Sequence, residues 1–180
     1  MIGVLTAPLA ADAISGTDPA ERLAAMFDAH HQRLFRLARR LTPGAEEARD
    51  LVQETFLRAA RAHRSIPRGS EEAWLVRVLV NIRRDEWRRD ATRKRIDPEG
   101  AAHESRGESS DQEAALIAKT TVWKALEQLP VRRRAIVVMY ELEGQAIPSI
   151  AKLLGVNAVT VRWHLSRGRK EMASWISNNS

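Results

Sequence analysis

Apolar residues recur along this chain at three- and four-residue steps. Over 20–41 the residues Leu23, Phe27, His30, Leu34, Leu37 and Leu41 form one stripe, the period of an amphipathic helix. Asp18-Pro19 supplies a start, with Asp as the cap and Pro in the first turn, and Thr42-Pro43-Gly44 supplies a stop. A second stripe (Ala48, Leu51, Val52, Thr55, Phe56, Ala59) predicts a helix over 45–64, broken by Ile66-Pro67-Arg68-Gly69. A third helix over 71–94 sets Trp74, Leu75, Val78, Ile82 and Asp85 on one side, with Arg77, Arg84 and Arg88 elsewhere. Farther on, 112–128 carries Leu116, Val122, Trp123 and Leu126 and ends at Leu129-Pro130; helices over 131–143, 148–154 and 158–176 follow. Strand signals are scarce. Ile136-Val137-Val138 is β-rich but sits between helix formers. The pattern predicts an all-α chain of two small helical domains.

The periodicity lapses over 96–111, IDPEGAAHESRGESSD, where Ile96 is the one large apolar residue. This is the composition of an acidic flexible linker. The organisation expected is a mobile leader over 1–18, an N-terminal module over 19–95, the linker over 96–111 and a C-terminal module over 112–177. Charge follows the same division. The chain of 180 residues carries a net charge of +6. The block 61–95 alone is net +6, 96–113 is net −5 and 160–180 is net +3. Two basic zones separated by an acidic stretch favour polyanionic partners, nucleic acid before acidic lipid.

Composition removes several classes. Cysteine is absent, which excludes disulfides, thiol catalysis and cysteine-ligated metals and suits a reducing, cytoplasmic setting. No apolar run is long enough to span a bilayer, so no membrane insertion is expected. The apolar start, Met1 to Ile14, lacks a positive n-region and contains Pro8, so it reads as a leader rather than an export signal.

The clearest motif lies at 149–161. Ile150, Ala151 and Leu154 face inward on a short helix, Gly155 allows the turn, and Val156 and Val161 plug the angle to a second helix. That is a helix-turn-helix pattern. On the second helix Val161, Leu165, Gly168 and Met172 fall on the core side, and Val159, Arg162, Trp163, Ser166, Arg169 and Lys170 fall largely away from it. A basic free face suits the DNA major groove; an ordinary helical corner with exposed arginines is the bland alternative.

Two further faces stand out in the N-terminal half. Asp50, Gln53, Glu54 and Leu57 form an acid-rich patch with one apolar member. Such a patch repels DNA and suits protein docking, although on composition alone a solvated helix face is the plainer reading. The helix from Glu71 mixes Trp74, Arg77, Asn81, Arg84, Trp87 and Arg88. Cations, an amide and flat rings are what melted DNA requires. For Trp74 itself, core packing is the plainer reading.

Taken together, Asp50-Leu51-Val52-Gln53-Glu54-Thr55-Phe56, Trp74-Leu75 with Arg77 and Asn81, the run LEQLPVRRRAIVVMYELEG over 126–144 and the helix-turn-helix resemble the sigma-70 family in order and spacing. With no further domains, the chain resembles the extracytoplasmic-function group over about 20–177. The resemblance implies that the N-terminal module is sigma region 2 and the C-terminal module sigma region 4. It implies that Asp50, Gln53, Glu54 and Leu57 dock on the clamp helices of the largest (β′) subunit of core RNA polymerase. It further implies that Arg64, Ser65, Arg77, Asn81, Arg84 and Arg88 meet the −10 promoter element, one base being flipped into a pocket near the loop of about Arg64 to Ser70. Asn157, Ala158, Val159, Thr160, Arg162, Trp163, Ser166, Arg167 and Arg169 would meet the −35 element, while the first helices of that module hold the β flap. The acidic linker would thread toward the RNA exit path. Factors of this group are commonly held by an anti-sigma partner. No metal, cofactor or catalytic residue is implied.

The chain departs from the family pattern at three places. Ser149 stands where an acidic residue is usual, Trp163 where a small polar one is, and Gly168 where alanine is. Gly168 should soften the second helix by about 1 kcal/mol, and Trp163 means that the −35 preference of relatives cannot be copied. Three rivals remain. A stand-alone helix-turn-helix regulator explains 148–170 but leaves the N-terminal half idle. An enzyme is disfavoured: the five histidines show no HExxH spacing, and no phosphate loop or nucleophile elbow exists. A basic membrane binder is disfavoured by the helix breaks.

Overall fold

The computed structural model describes residues 18–96 and 113–179. Residues 1–17 of the predicted leader and all but the first residue of the predicted linker lie outside the described residues; Asp18, placed in the leader, instead caps the first helix. Among these residues there is no strand. The helices are α1 (Pro19–Leu41), α2 (Ala45–Ala62), α3 (Glu71–Ile96), α4 (Glu113–Glu127), α5 (Val131–Val137), α6 (Ile147–Leu154) and α7 (Ala158–Asn178). A 3₁₀ turn, His63–Ser65, follows α2, and a π turn, Val138–Leu142, extends α5.

Local chemistry sets the boundaries. Asp18 caps α1, its Oδ1 accepting from the Ala20 N–H at 3.2 Å, and Pro19 opens the first turn. Thr42 closes α1, its hydroxyl donating to the Ala38 carbonyl at 3.0 Å. The buried face of α2 is the predicted stripe, Ala48, Leu51, Val52, Thr55, Phe56 and Ala59. Thr55 is accepted in the core because its hydroxyl donates to the Leu51 carbonyl at 2.7 Å. On α1 Leu34, Leu37 and Leu41 of the expected stripe are buried, joined by Met26 and Ala38, whereas Phe27 is 44% exposed.

The third helix differs most. Ala73, Leu75, Val76, Leu79, Val80 and Ile82 are buried, while Trp74 and Val78 are only partly so. A helix with one neighbour buries one stripe, but α3 packs on α1 and α2 at one side and on α5 and α6 at the other. Leu79 and Val80 therefore enter a single hydrophobic cluster that draws from both modules.

Polar contacts reinforce this seam. The Leu41 carbonyl, at the C-terminus of α1, accepts from Arg83 Nε at 3.0 Å and from Arg134 Nη1 at 3.3 Å, a placement the helix dipole favours. Arg134 also donates to the Glu127 carbonyl at 2.6 Å, closing the end of α4. Burial, and then the neighbouring Arg83, push the Arg134 guanidinium down to about 10. Arg40 lies 4.7 Å over the Trp123 ring, and Arg33 joins Glu72 of α3 and, at 3.5 Å, Glu143 beyond the π turn.

Gly168 has a steric reason that the helix pattern does not reveal. A Cβ placed there would sit 2.8 Å from Val137 Cγ2 and 3.2 Å from Arg133 Cγ. The missing side chain lets α7 close on α5.

Candidate nucleic-acid interface

The turn between α6 and α7 is built as expected. Gly155 adopts φ 64, a left-handed conformation open to glycine at little cost. The Val156 N–H reaches the Ala151 carbonyl at 3.0 Å and the Gly155 N–H reaches that of Lys152 at 3.4 Å, so the last carbonyls of α6 are satisfied. Asn157 then caps α7, its Oδ1 accepting from the Thr160 N–H at 2.7 Å. This places the Asn157 side chain in the fold of the turn.

Along α7, Val161, Leu165 and Gly168 are buried. Arg162, Ser166, Arg167 and Arg169 are exposed, and Ala158 and Thr160 are half-buried. Val159 is 70% exposed and Trp163 56%. Two of the arginines are engaged within the module. Arg169 Nε donates to Glu141 at 2.7 Å and the guanidinium lies 5.4 Å over the Tyr140 ring. Arg167 donates to Glu171 at 2.9 Å. The π turn presents Tyr140 and Glu141 to α7, and a groove of about 390 Å³ runs between Tyr140 and Ile147 on one side and Arg162, Ser166 and Lys170 on the other. Behind this face His164 is half-buried, with Nδ1 unpaired among the described residues. Burial, then Arg133 and Arg132, hold its imidazole below the usual histidine value.

The α3 candidates Arg77, Asn81, Arg84 and Arg88 follow one another at four-, three- and four-residue steps and make one row. Arg88 is exposed, and Asn81 and Arg84 are half-exposed. Arg77 is exposed as well, yet its guanidinium lies at the seam: its Cζ is 3.2 Å from where a Cβ on Gly155 would sit. The row thus starts beside the helix-turn-helix turn and runs outward from it.

Arg64 and Ser65 are exposed on the loop between α2 and α3, while Ile66 is buried beneath them. The loop is held by Arg22, which the helical periodicity of α1 gave no reason to single out. Its guanidinium donates to the His63 carbonyl at 3.0 Å, to the Ile66 carbonyl at 2.6 Å and to Glu71 at 3.1 Å. A cation at a half-polar helix position was the only signal, and its partners lie more than forty residues away.

On α2, Asp50 and Gln53 are exposed, Leu57 is 44% exposed, and Glu54 pairs with Arg58 at 2.8 Å. The four predicted residues share one outward face. Among the described residues, no three acidic or histidine side chains converge to hold a metal, and no helix is long and apolar enough to cross a membrane.

Residues 26–93 match the family described as sigma-70 region 2, and residues 119–172 the one described as sigma-70, region 4. The ECF RNA polymerase sigma factor SigM of Mycobacterium tuberculosis is 33% identical over 149 residues, covering 82% of this chain and 74% of SigM. SigE of Mycolicibacterium smegmatis is 33% identical over 165 residues, covering 84% of this chain and 60% of SigE, so the chain spans three-fifths of that relative. Among solved structures, the sigma factor RpoE in complex with the anti-sigma factor NepR from Bartonella quintana aligns with a TM-score of 0.63 at 24% identity, over 88% of this chain and 96% of that one. CnrH in complex with the cytosolic domain of CnrY aligns with a TM-score of 0.59 at 22% identity, over 89% and 91%. These two alignments bear on the fold alone.

Proposed function

The chain belongs to the extracytoplasmic-function group of sigma-70 factors, and from that premise we propose that it is an alternative sigma factor that joins core RNA polymerase and directs promoter-specific initiation. Its work is binding and positioning. The observation that carries this reading is the co-existence, on one helical body, of a DNA-type face on α7, a cationic row on α3 and an acid-rich face with exposed Leu57 on α2. A stand-alone regulator needs only the first of these and leaves the matched residues 26–93 without a task.

In this reading the α2 face docks on the β′ clamp helices. Negative charge there discourages DNA, and Leu57 contributes apolar area to the contact. The helices preceding the helix-turn-helix hold the β flap, and α7 enters the major groove at the −35 element. Its first turn is aimed by the Asn157 cap, because recognition helices contact base edges chiefly through their N-terminal residues.

At the −10 element the loop bearing Arg64 and Ser65 receives an unstacked base. Flipping costs a few kcal/mol, and a wandering loop would add its own ordering entropy. The three hydrogen bonds from Arg22 reduce that cost by fixing the loop before DNA arrives. Asn81, Arg84 and Arg88 then follow the separated strand. Arg77, exposed and with its guanidinium at the seam beside Gly155, heads that row. The acidic linker, outside the described residues, is assigned to the RNA exit path, and an anti-sigma factor, such as the NepR that binds RpoE of Bartonella quintana, is the further partner proposed.

The test is run-off transcription with sigma-free bacterial core polymerase on a promoter library. Discrete start sites that need both promoter elements are expected. Sequence-independent initiation, or none, overturns the reading.

A further inference from the structure

The outermost row of α7, opposite buried Val161, Leu165 and Gly168, runs Val159, Trp163, Ser166 and Lys170 at steps of four, three and four. Val159 and Trp163 are the two most exposed large apolar side chains among the described residues, at 70% and 56%. Scattered surface apolar residues are ordinary, but an adjacent exposed pair is informative. Here the pair sits in the first half of the helix, where a recognition helix touches bases.

The indole is also held in place. Arg133 of α5 lies 5.5 Å from its centroid and is itself ion-paired with Glu171. The His164 ring meets it edge-on at 4.8 Å. A cation on one side and an edge on another fix a ring that its own helix leaves in solvent. Such a ring loses little side-chain entropy when it makes a contact.

The row has no carboxamide that could pair with adenine N6 and N7, and the nearest, Asn157, has its oxygen engaged in the cap. What Val159 and Trp163 can offer a base edge is apolar contact. In the major groove one feature answers that chemistry, the C5-methyl group of thymine. We propose that Val159 and Trp163 form a methyl-reading patch that makes the −35 preference of this chain depend on the 5-methyl group of thymine, with Arg162 and Lys170 beside it for phosphate or guanine. This inference rests on the sigma-factor reading, in which α7 enters the −35 major groove.

Holoenzyme is assembled from the full chain and core polymerase, and a promoter is selected from a library randomised in the −35 element. Each −35 thymine of that promoter is then replaced by uracil, which removes only the methyl group. Loss of one buried methyl corresponds to about a 3- to 5-fold weakening, expected at one or two positions. Cytosine placed at a sensitive position should bind more weakly than 5-methylcytosine there. Trp163→Ala should bind thymine and uracil promoters alike, and Trp163→Phe should retain part of the difference. Because Trp163 is exposed, the melting curves of both variants should follow that of the parent chain, which separates lost contact from lost fold. Equal binding of thymine and uracil promoters by the parent chain, with −35 selection intact, overturns this inference alone. Uniform weakening of Trp163→Ala on every −35 sequence also overturns it, in favour of a sugar–phosphate contact. Failure to select any −35 sequence overturns the sigma-factor reading and this inference with it.

Discussion

Replacing Gly168 with alanine sets two effects against each other. In a helix interior alanine is favoured over glycine by about 1 kcal/mol, so helix propensity alone makes Gly168→Ala stabilising. The new Cβ, however, would lie 2.8 Å from Val137 Cγ2 and 3.2 Å from Arg133 Cγ. Val137 is 4% exposed and, as a β-branched residue in a helix, has essentially one χ1 rotamer. It cannot swing aside. Arg133 is constrained at its far end by Glu171. Overpacking of this kind costs about 1–3 kcal/mol. The net expectation is destabilisation by about 1 kcal/mol, a fall in melting temperature of roughly 2–4 °C for a chain this size. Urea titration, with the midpoint read at constant slope, measures it. Val137→Ala on its own should destabilise by loss of buried methyls, and the double variant should recover at least about 1 kcal/mol relative to the sum of the two singles. A rise in stability for Gly168→Ala, or an additive cycle, would refute the claim that close approach of α5 and α7 is what glycine serves here.

Other changes probe the remaining surfaces. Asp50→Arg or Gln53→Arg should abolish co-elution with core polymerase while changing stability by less than about 0.5 kcal/mol, because both residues are exposed; retained co-elution counts against the α2 face. Arg22→Ala should lower stability by about 1–3 kcal/mol through its lost carbonyl partners and slow promoter melting, read by permanganate reactivity; unchanged melting removes the loop from the opening step. Removing the Arg40–Trp123 and Arg33–Glu143 contacts together, by Trp123→Ala with Glu143→Ala, should weaken the seam by about 1–2 kcal/mol; an unchanged radius of gyration in small-angle scattering would show that these contacts do not hold the modules. Finally, His164 sits below its ordinary value in the folded chain, chiefly through burial. The unfolded chain therefore takes up a proton first as pH falls below about 6.5, and stability should decline from there downward. His164→Gln should flatten the dependence of melting temperature on pH between 7 and 5.5; identical slopes would exclude His164 as a source.

Much of the architecture is set by signals that act over a few residues. The Asp18 cap, the Thr42 stop, the Gly155 turn and the Asn157 cap are satisfied by atoms two to five positions away, so the sequence read locally contains both terms of each interaction. The α2 stripe is legible because α2 buries one face only. The exposed patch of Asp50, Gln53, Glu54 and Leu57 is legible for the same reason, as the other side of that stripe.

Where a residue answers to partners far along the chain, periodicity is silent. The burial of Leu79 and Val80 on the second side of α3, and the seam at which the Arg77 guanidinium meets Gly155, depend on the two modules meeting. Arg22 and Arg134 look like any other surface cations in the sequence; what distinguishes them is a set of backbone carbonyls gathered by the fold from as many as ninety-three residues away. Gly168 reads as a weak point in a helix until Val137 is found 2.8 Å from its absent side chain. Helix identity, caps and the chemical character of each face were fixed by the sequence itself, because hydrogen bonds and amphipathic periods are short-range. Which faces are covered, which cations are engaged and how closely two helices approach were decided only in the tertiary structure, because burial and steric fit are properties of partners that the chain brings together only by folding.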